Sequence, residues 1–120
     1  MTRRLFLAAA CALALLVASP VYAAVGDAVT CGTNSQITTG NTLAIQPGAG
    51  AEWLIQNIYF EANIQIERYD GSNLIGTISM LGPDWQNFSP GIRVTNANYL
   101  RIKNLDAGSK RICYDGVVVK

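Results

Sequence analysis

Histidine is absent from this 120-residue chain. Its absence removes every His-dependent catalytic triad, His-ligated metal site and His pH switch. Charge is scarce as well, at 14% of residues with a net of +1. That balance excludes a strongly basic nucleic-acid binder and an acidic disordered tail. There is no Gly-x-Ser-x-Gly elbow, and without His no nucleophile–base pair can be assembled. Gly48-Ala49-Gly50 lacks the lysine and following helix of a phosphate loop, and no Asp-x-Asp-x-Asp-Gly calcium loop occurs. What remains for catalysis is a carboxylate pair drawn from Glu52, Glu61, Glu67, Asp70 and Asp84. Glu67 alternates with Ile64 and Ile66 and reads as a solvated strand-face residue, and Glu61 reads as a strand end. The expectation is therefore a non-enzyme with no cofactor and no metal.

The N-terminus has the layout of an export signal. Arg3 and Arg4 precede an apolar run from Leu5 to Ala18, and Ser19-Pro20 ends it before Val21-Tyr22-Ala23. A charged start, a short apolar core and a small-x-small site mark a leader cleaved after Ala23. A lipoprotein cut before Cys11 is the rival, but Ala8 stands where a Leu-like residue is needed and the apolar run continues past Cys11. Residues 1–23 are thus expected to be a cleaved signal, touching the membrane only transiently. Residues 24–120 are expected to be a single domain in the periplasm or outside the cell.

Removing the leader takes two of nine basic residues, which leaves seven against eight acids and a net of −1. It also takes Cys11 and leaves Cys31 and Cys113 as a pair in an oxidising compartment. A Cys31–Cys113 disulfide is the simplest reading, with two free buried thiols as the alternative. Closing so long a loop is worth roughly 4–5 kcal/mol in the chain-entropy picture.

The rest of the chain reads as short strands. Asn63–Tyr69 and Tyr99–Asn104 alternate apolar and polar residues. Arg111–Tyr114, Val117–Val119, Ile92–Thr95 and Leu74–Met80 are further strand candidates, with weaker ones at Ala28–Cys31 and Thr42–Gln46. Glu52–Phe60 is apolar on both faces, as a central strand covered twice would be. Asp70-Gly71 and Asp115-Gly116 read as tight turns, and Gly82-Pro83-Asp84 as a longer loop. Tyr-Asp-Gly occurs at 69–71 and 114–116; a common hairpin ending accounts for it more simply than a two-unit repeat. Seven to nine strands in under 100 residues predict an all-β domain, a small antiparallel β-sandwich or jelly roll with one disulfide.

Five residues stand out as binding candidates. Trp85 and Phe88 lie in a polar segment, Leu81–Phe88, that reads as a loop; such a pair can hold a sugar ring or a partner protein, or fold back to cap the sandwich. Tyr99, Arg101 and Lys103 share a strand face, either as a basic–aromatic binding surface or as cross-strand partners of Glu67 and its neighbours. Trp53 opens the most apolar strand and reads as core.

The order Ala51-Glu52-Trp53-Leu54-Ile55-Gln56-Asn57-Ile58-Tyr59, Tyr69-Asp70-Gly71, Arg93-Val94-Thr95-Asn96, Tyr99–Asn104 and Tyr114-Asp115-Gly116-Val117 resembles small proteins encoded near the capsid genes of tailed phages. The resemblance spans residues 51–119 and rests on strand-and-turn patterns. It implies a virion-associated β-sandwich of the head-decoration or minor structural type and no catalytic residue. The functional expectation is an exported, non-enzymatic module acting by protein–protein contact or self-association. The alternative is a carbohydrate-binding module using Trp85, Phe88 and Tyr99, with glycan as the partner in place of protein; nucleic acid is not expected.

Expression of the full chain in a bacterium tests the leader. The exported protein should begin at Ala24 by intact mass, and an exported product that retains residues 1–23 contradicts the assignment.

Overall fold

The computed structural model describes residues 24–32 and 35–120. The expected leader, residues 1–23, lies outside them. Nine strands are formed: β1 (Ala28–Thr30), β2 (Gln36–Ile37), β3 (Thr42–Ile45), β4 (Glu52–Phe60), β5 (Ile64–Asp70), β6 (Asn73–Met80), β7 (Asp84–Thr95), β8 (Asn98–Asn104) and β9 (Lys110–Val118). They make two packed antiparallel sheets, one ordered β1-β9-β4-β7 with β2 also on β9, the other β3-β8-β5-β6. The partners are nested: β1 with β9, β3 with β8, β4 with β7, β5 with β6. This is one long hairpin rolled into two sheets, the jelly-roll arrangement. Its tip is the two-residue turn Gly71-Ser72 between the paired residues Asp70 and Asn73. Gly71 has φ +61°, the left-handed first position of a II′ turn.

The core is built largely from isoleucine. Ile45, Ile55, Ile58, Ile64, Ile102 and Ile112 are fully buried, with Val94, Phe60 and Leu100 around them. β-Branched side chains suit the pleated inner faces of both sheets. Trp53 packs against this core and stacks on Tyr114, ring centroids 6.5 Å apart, as its place at the head of an apolar strand implies. Asn104 is a buried polar residue with its amide satisfied. Its Nδ2 donates to the carbonyls of Ile37 (2.8 Å) and Gly108 (3.0 Å), and its Oδ1 accepts from the Asp106 amide (2.8 Å). The amide thus ties β8 to the chain on either side of it without leaving an orphaned group.

The disulfide forms as expected. Cys31, just after β1, is bonded to Cys113 in β9 across 82 residues, with Cα atoms 5.2 Å apart. It locks the outermost pair of the nested hairpin.

Three expectations are corrected. β4 is central in its sheet but is not covered twice. Between Ile55 and Asn57 its register shifts against both neighbours, with Ile55 opposite Gly116 and Asn57 opposite Asp115. Gln56 is the extra residue of a β-bulge, and a bulge inverts the side-chain alternation beyond it. Trp53 and Ile55 therefore face inward before it, Ile58 and Phe60 after it, and Asn57 and Tyr59 face outward. Apolarity on both parities is the trace of this inversion.

Asp115-Gly116 is not a turn but the middle of β9, which runs unbroken through both expected fragments. A Cβ on Gly116 would lie 2.2 Å from the Leu54 carbonyl oxygen, so the glycine is there to let β9 approach β4. The two Tyr-Asp-Gly triplets are thus structurally unlike. Finally, Asp84–Phe88 is strand rather than loop, the first half of β7. Only Leu81-Gly82-Pro83 remains as the connection, its Gly82 amide donating to Asn63 Oδ1 at 3.0 Å.

Gly76 provides the contrast to Gly116, since a Cβ there would meet nothing within 4 Å. Gly116→Ala should cost about 1–3 kcal/mol by forcing the strands apart. Gly76→Ala should be neutral or stabilise by roughly 0.5–1 kcal/mol, since glycine is a poor strand residue. Chemical denaturation of the two variants checks both signs.

Candidate functional site

The five expected binding residues fall on different surfaces. Within β7 the alternation sends Trp85 and Asn87 to the outer face and Phe88 inward, where it packs against the core. Tyr99, Arg101 and Lys103 lie on the outer face of the other sheet. A single site made of Trp85, Phe88 and Tyr99 is therefore not formed.

The Tyr99 face is a closed cluster. The Tyr69 and Tyr99 rings stack with centroids 5.2 Å apart and planes within 5°. The Arg101 guanidinium sits 4.7 Å from the centroid of Tyr69 and 5.7 Å from that of Tyr99. Glu67 stands opposite Arg101 in the register, but it accepts a hydrogen bond from the Tyr69 hydroxyl at 2.7 Å. It is only 8% exposed, which corrects its reading as a solvated residue: its aromatic neighbour and the pairing strands take the place of water. The hydrogen bond to Glu67 is the main reason that the Tyr69 phenol is raised above its ordinary value, with burial adding to it and Arg101 opposing it. Arg101 spends its charge on the rings as a cation–π contact rather than on a salt bridge. Among the described residues the ion pair within 4.0 Å is Arg93–Glu52, at 3.3 Å, on the other sheet. Tyr99 itself is buried, so little of this cluster is left for a ligand. Lys103 pairs in register with Gln65 and Thr42.

The Trp85 face is open. Trp85 is 58% exposed and Tyr59, its cross-strand partner on β4, is 38% exposed. Their rings stack with centroids 5.7 Å apart and planes at 28°. On the far side of Tyr59 in the register is Cys113, so one row across this sheet runs disulfide, Tyr59, Trp85. The adjacent row is Asp115, Asn57, Asn87. These two rows are joined by hydrogen bonds. Trp85 Nε1 donates to Asn57 Oδ1 at 3.0 Å, and Asn87 Nδ2 donates to the same oxygen at 2.8 Å. Asn57 Nδ2 and the Tyr59 hydroxyl donate to the two Asp115 oxygens, at 2.8 and 2.9 Å. The hydrogen bond to Asp115, with smaller contributions from desolvation and from the nearby negative charge, raises the Tyr59 phenol above its ordinary 10.0.

An open depression of about 470 Å³ lies beside the two rings, lined by Tyr59, Phe60, Pro83, Trp85 and Cys113 together with the charged Glu61, Asp84 and Arg111. Tyr59, Asn57, Asn87 and Asp115 are additions to the sequence-based set. The period-two pattern of β9 signals Asp115, since Ile112, Tyr114, Gly116 and Val118 share one face and leave it on the other.

A third surface lies at the sheet edges. β1, β2 and β3 are edge strands of two to four residues. β7 is long, but Phe88–Gly91, with Pro90 inside it, bulges between the pairs Asn57–Asn87 and Ile55–Ile92. β6 also carries a bulge, at Ile75 between the pairs Arg68–Gly76 and Tyr69–Leu74, but beyond it Gly76–Met80 runs without interruption. Its eight residues, Asn73–Met80, carry no charge and no proline, and all but Met80 are exposed. Ile78 points to the inner side of its sheet, yet it is 57% exposed because the opposing sheet does not reach over it. A groove of about 280 Å³ opens there, lined by Ile66, Arg68, Ile78, Ile92 and Leu100 among others. Arg68 spans its inner end, donating from both terminal nitrogens to the Arg93 carbonyl at 3.2 and 3.3 Å.

No protein-family model matches this chain, and no curated protein matches it.

Proposed function

We propose that this chain is an exported, non-enzymatic jelly-roll module that works by protein–protein contact, and that the contact is made by β6 with a second copy of itself. The role is of the decoration or minor structural kind that its resemblance to phage virion proteins implies. The observation that carries the reading is the open edge of β6. A long, uncharged edge strand with free N–H and C=O groups is a template for pairing, and soluble proteins ordinarily blunt such edges. The other edges are short or broken by a proline-containing bulge, whereas the β6 edge beyond its bulge at Ile75 is continuous, uncharged and free of proline.

The strand is also suited to a two-fold partner. In an antiparallel pair centred on Ile78, Ile78 meets Ile78 of the partner subunit, Thr77 meets the partner subunit's Ser79, and Gly76 meets the partner subunit's Met80. No two like charges face each other, because residues 71–83 contain none. Such an interface is isologous and closed, and it joins the two four-stranded sheets into one of eight strands. It also covers the exposed Ile78 side chain and the mouth of the groove. Jelly rolls serve in viral capsids, so the fold is compatible with this role by analogy.

Light scattering coupled to size exclusion tests the proposal on the mature protein. The wild type should be a dimer at micromolar concentration, and Ile78→Lys should be a monomer with unchanged thermal stability. A wild type that stays monomeric across the concentration range, or an Ile78→Lys variant that still dimerises, overturns it.

A further inference from the structure

The outer face of the β4–β7–β9 sheet is a second surface, separate from β6, and its chemistry differs. Its aromatic rings are exposed while its polar atoms are occupied. The Trp85 indole N–H, the amide nitrogens of Asn57 and Asn87 and the Tyr59 hydroxyl are engaged with one another and with Asp115. What this network presents outward is the flat surface of two rings held in fixed orientation. Cross-strand pairing from below and hydrogen bonds from the side restrict both rings, so little conformational freedom is lost when something lies on them.

The depression beside the rings narrows the choice of ligand. Its lining combines apolar surface from Tyr59, Phe60, Pro83 and Trp85 with two carboxylates and a guanidinium. Asp84 uses one carboxylate oxygen to accept from the Trp85 amide, at 2.8 Å, and Glu61 uses one to accept from the Arg111 amide, at 3.1 Å. Each retains a second oxygen as an acceptor, and Arg111 supplies donors. A pyranose ring has matching parts: an apolar C–H face that lies on an aromatic plane, and hydroxyls at its edge that both donate and accept. The lining has two acidic groups against one basic group, so its charge disfavours sulfated, phosphorylated or carboxylated sugars. The space is that of a small ligand rather than of a protein interface.

We infer that Tyr59 and Trp85 form a platform for a neutral hexopyranose unit of an oligosaccharide, with Glu61, Asp84 and Arg111 meeting its hydroxyls. Tyr59 and Trp85 face outward only because of the bulge at Gln56 and the strand character of 84–88, so the platform is built by the fold and not by a loop. It does not depend on the β6 contact.

Two tryptophans are present, Trp53 and Trp85. A Trp53→Phe variant leaves Trp85 as the sole indole reporter. Titration of this variant with maltohexaose, cellohexaose, mannohexaose and chitohexaose should change Trp85 fluorescence saturably with at least one of them. Trp85→Ala and Tyr59→Ala, followed by calorimetry in the otherwise wild-type protein, should weaken that binding roughly tenfold or more, the loss of about one stacking contact each. Ile78→Lys should bind as the wild type does, which separates this platform from the β6 interface. Unchanged thermal unfolding of Trp85→Ala shows that the loss is not one of folding. Four blank titrations, binding unaffected by Trp85→Ala, or a preference for polygalacturonate over every neutral sugar overturns the inference. So does a shift of Trp85→Ala from dimer to monomer, which would make this face a protein contact.

Discussion

The close approach of β9 to β4 at Gly116 is the constraint on which the arrangement of faces depends. At that point β4 carries one residue more than β9, and its alternation inverts. Without the inversion, Ile58 and Phe60 would turn to solvent and Asn57 and Tyr59 to the core. Two polar or amphipathic side chains would be buried and two large apolar ones exposed, each exchange unfavourable by the ordinary cost of hydrophobic burial and of unpaired polar groups. A side chain at 116 would collide with the Leu54 carbonyl. One small residue on one strand thus sets which residues of its neighbour form the core and which form the outer platform.

The nested pairing explains where reinforcement is needed. The inner pair, β5 with β6, is joined by a two-residue turn and forms locally. The outer pair, β1 with β9, joins the two ends of the domain through three residue pairs. Long-range pairing has the highest loop-closure cost, and the ladder here is short. The disulfide falls on that pair. By the same logic, the open edge of β6 lies at the tip of the rolled hairpin, where β7 bulges and the second sheet falls short of covering it.

Much of this was legible in the residues. Single-faced alternation at 63–69 and 99–104 identifies β5 and β8, and the expected pairing of Cys31 with Cys113 is the observed bond. The unread parts share a cause. Asp115-Gly116 has the composition of a turn, but here the glycine serves close approach, and composition does not tell the two uses apart. Gly82-Pro83 suggests a loop, yet β7 begins directly after it, and Pro90 lies in the strand's own bulge without ending it. Glu52–Phe60 is apolar on both parities because its register slips, not because it is covered twice. Trp85 stands out as an exposed aromatic. Asn57 and Tyr59 do not, and although the alternation of β9 puts Asp115 on the outer face, only the register of three strands brings it to them, which no local pattern carries.

The most direct measurement is the set of cross-strand nuclear Overhauser contacts between β4 and β9 in isotopically labelled protein. Contacts pairing Ile55 with Gly116 and Asn57 with Asp115, with Gln56 unpaired between them, are the expected result. A continuous ladder pairing Gln56 with Asp115 and Asn57 with Tyr114 would contradict the account, because Tyr59 would then face the core and the aromatic platform would not exist.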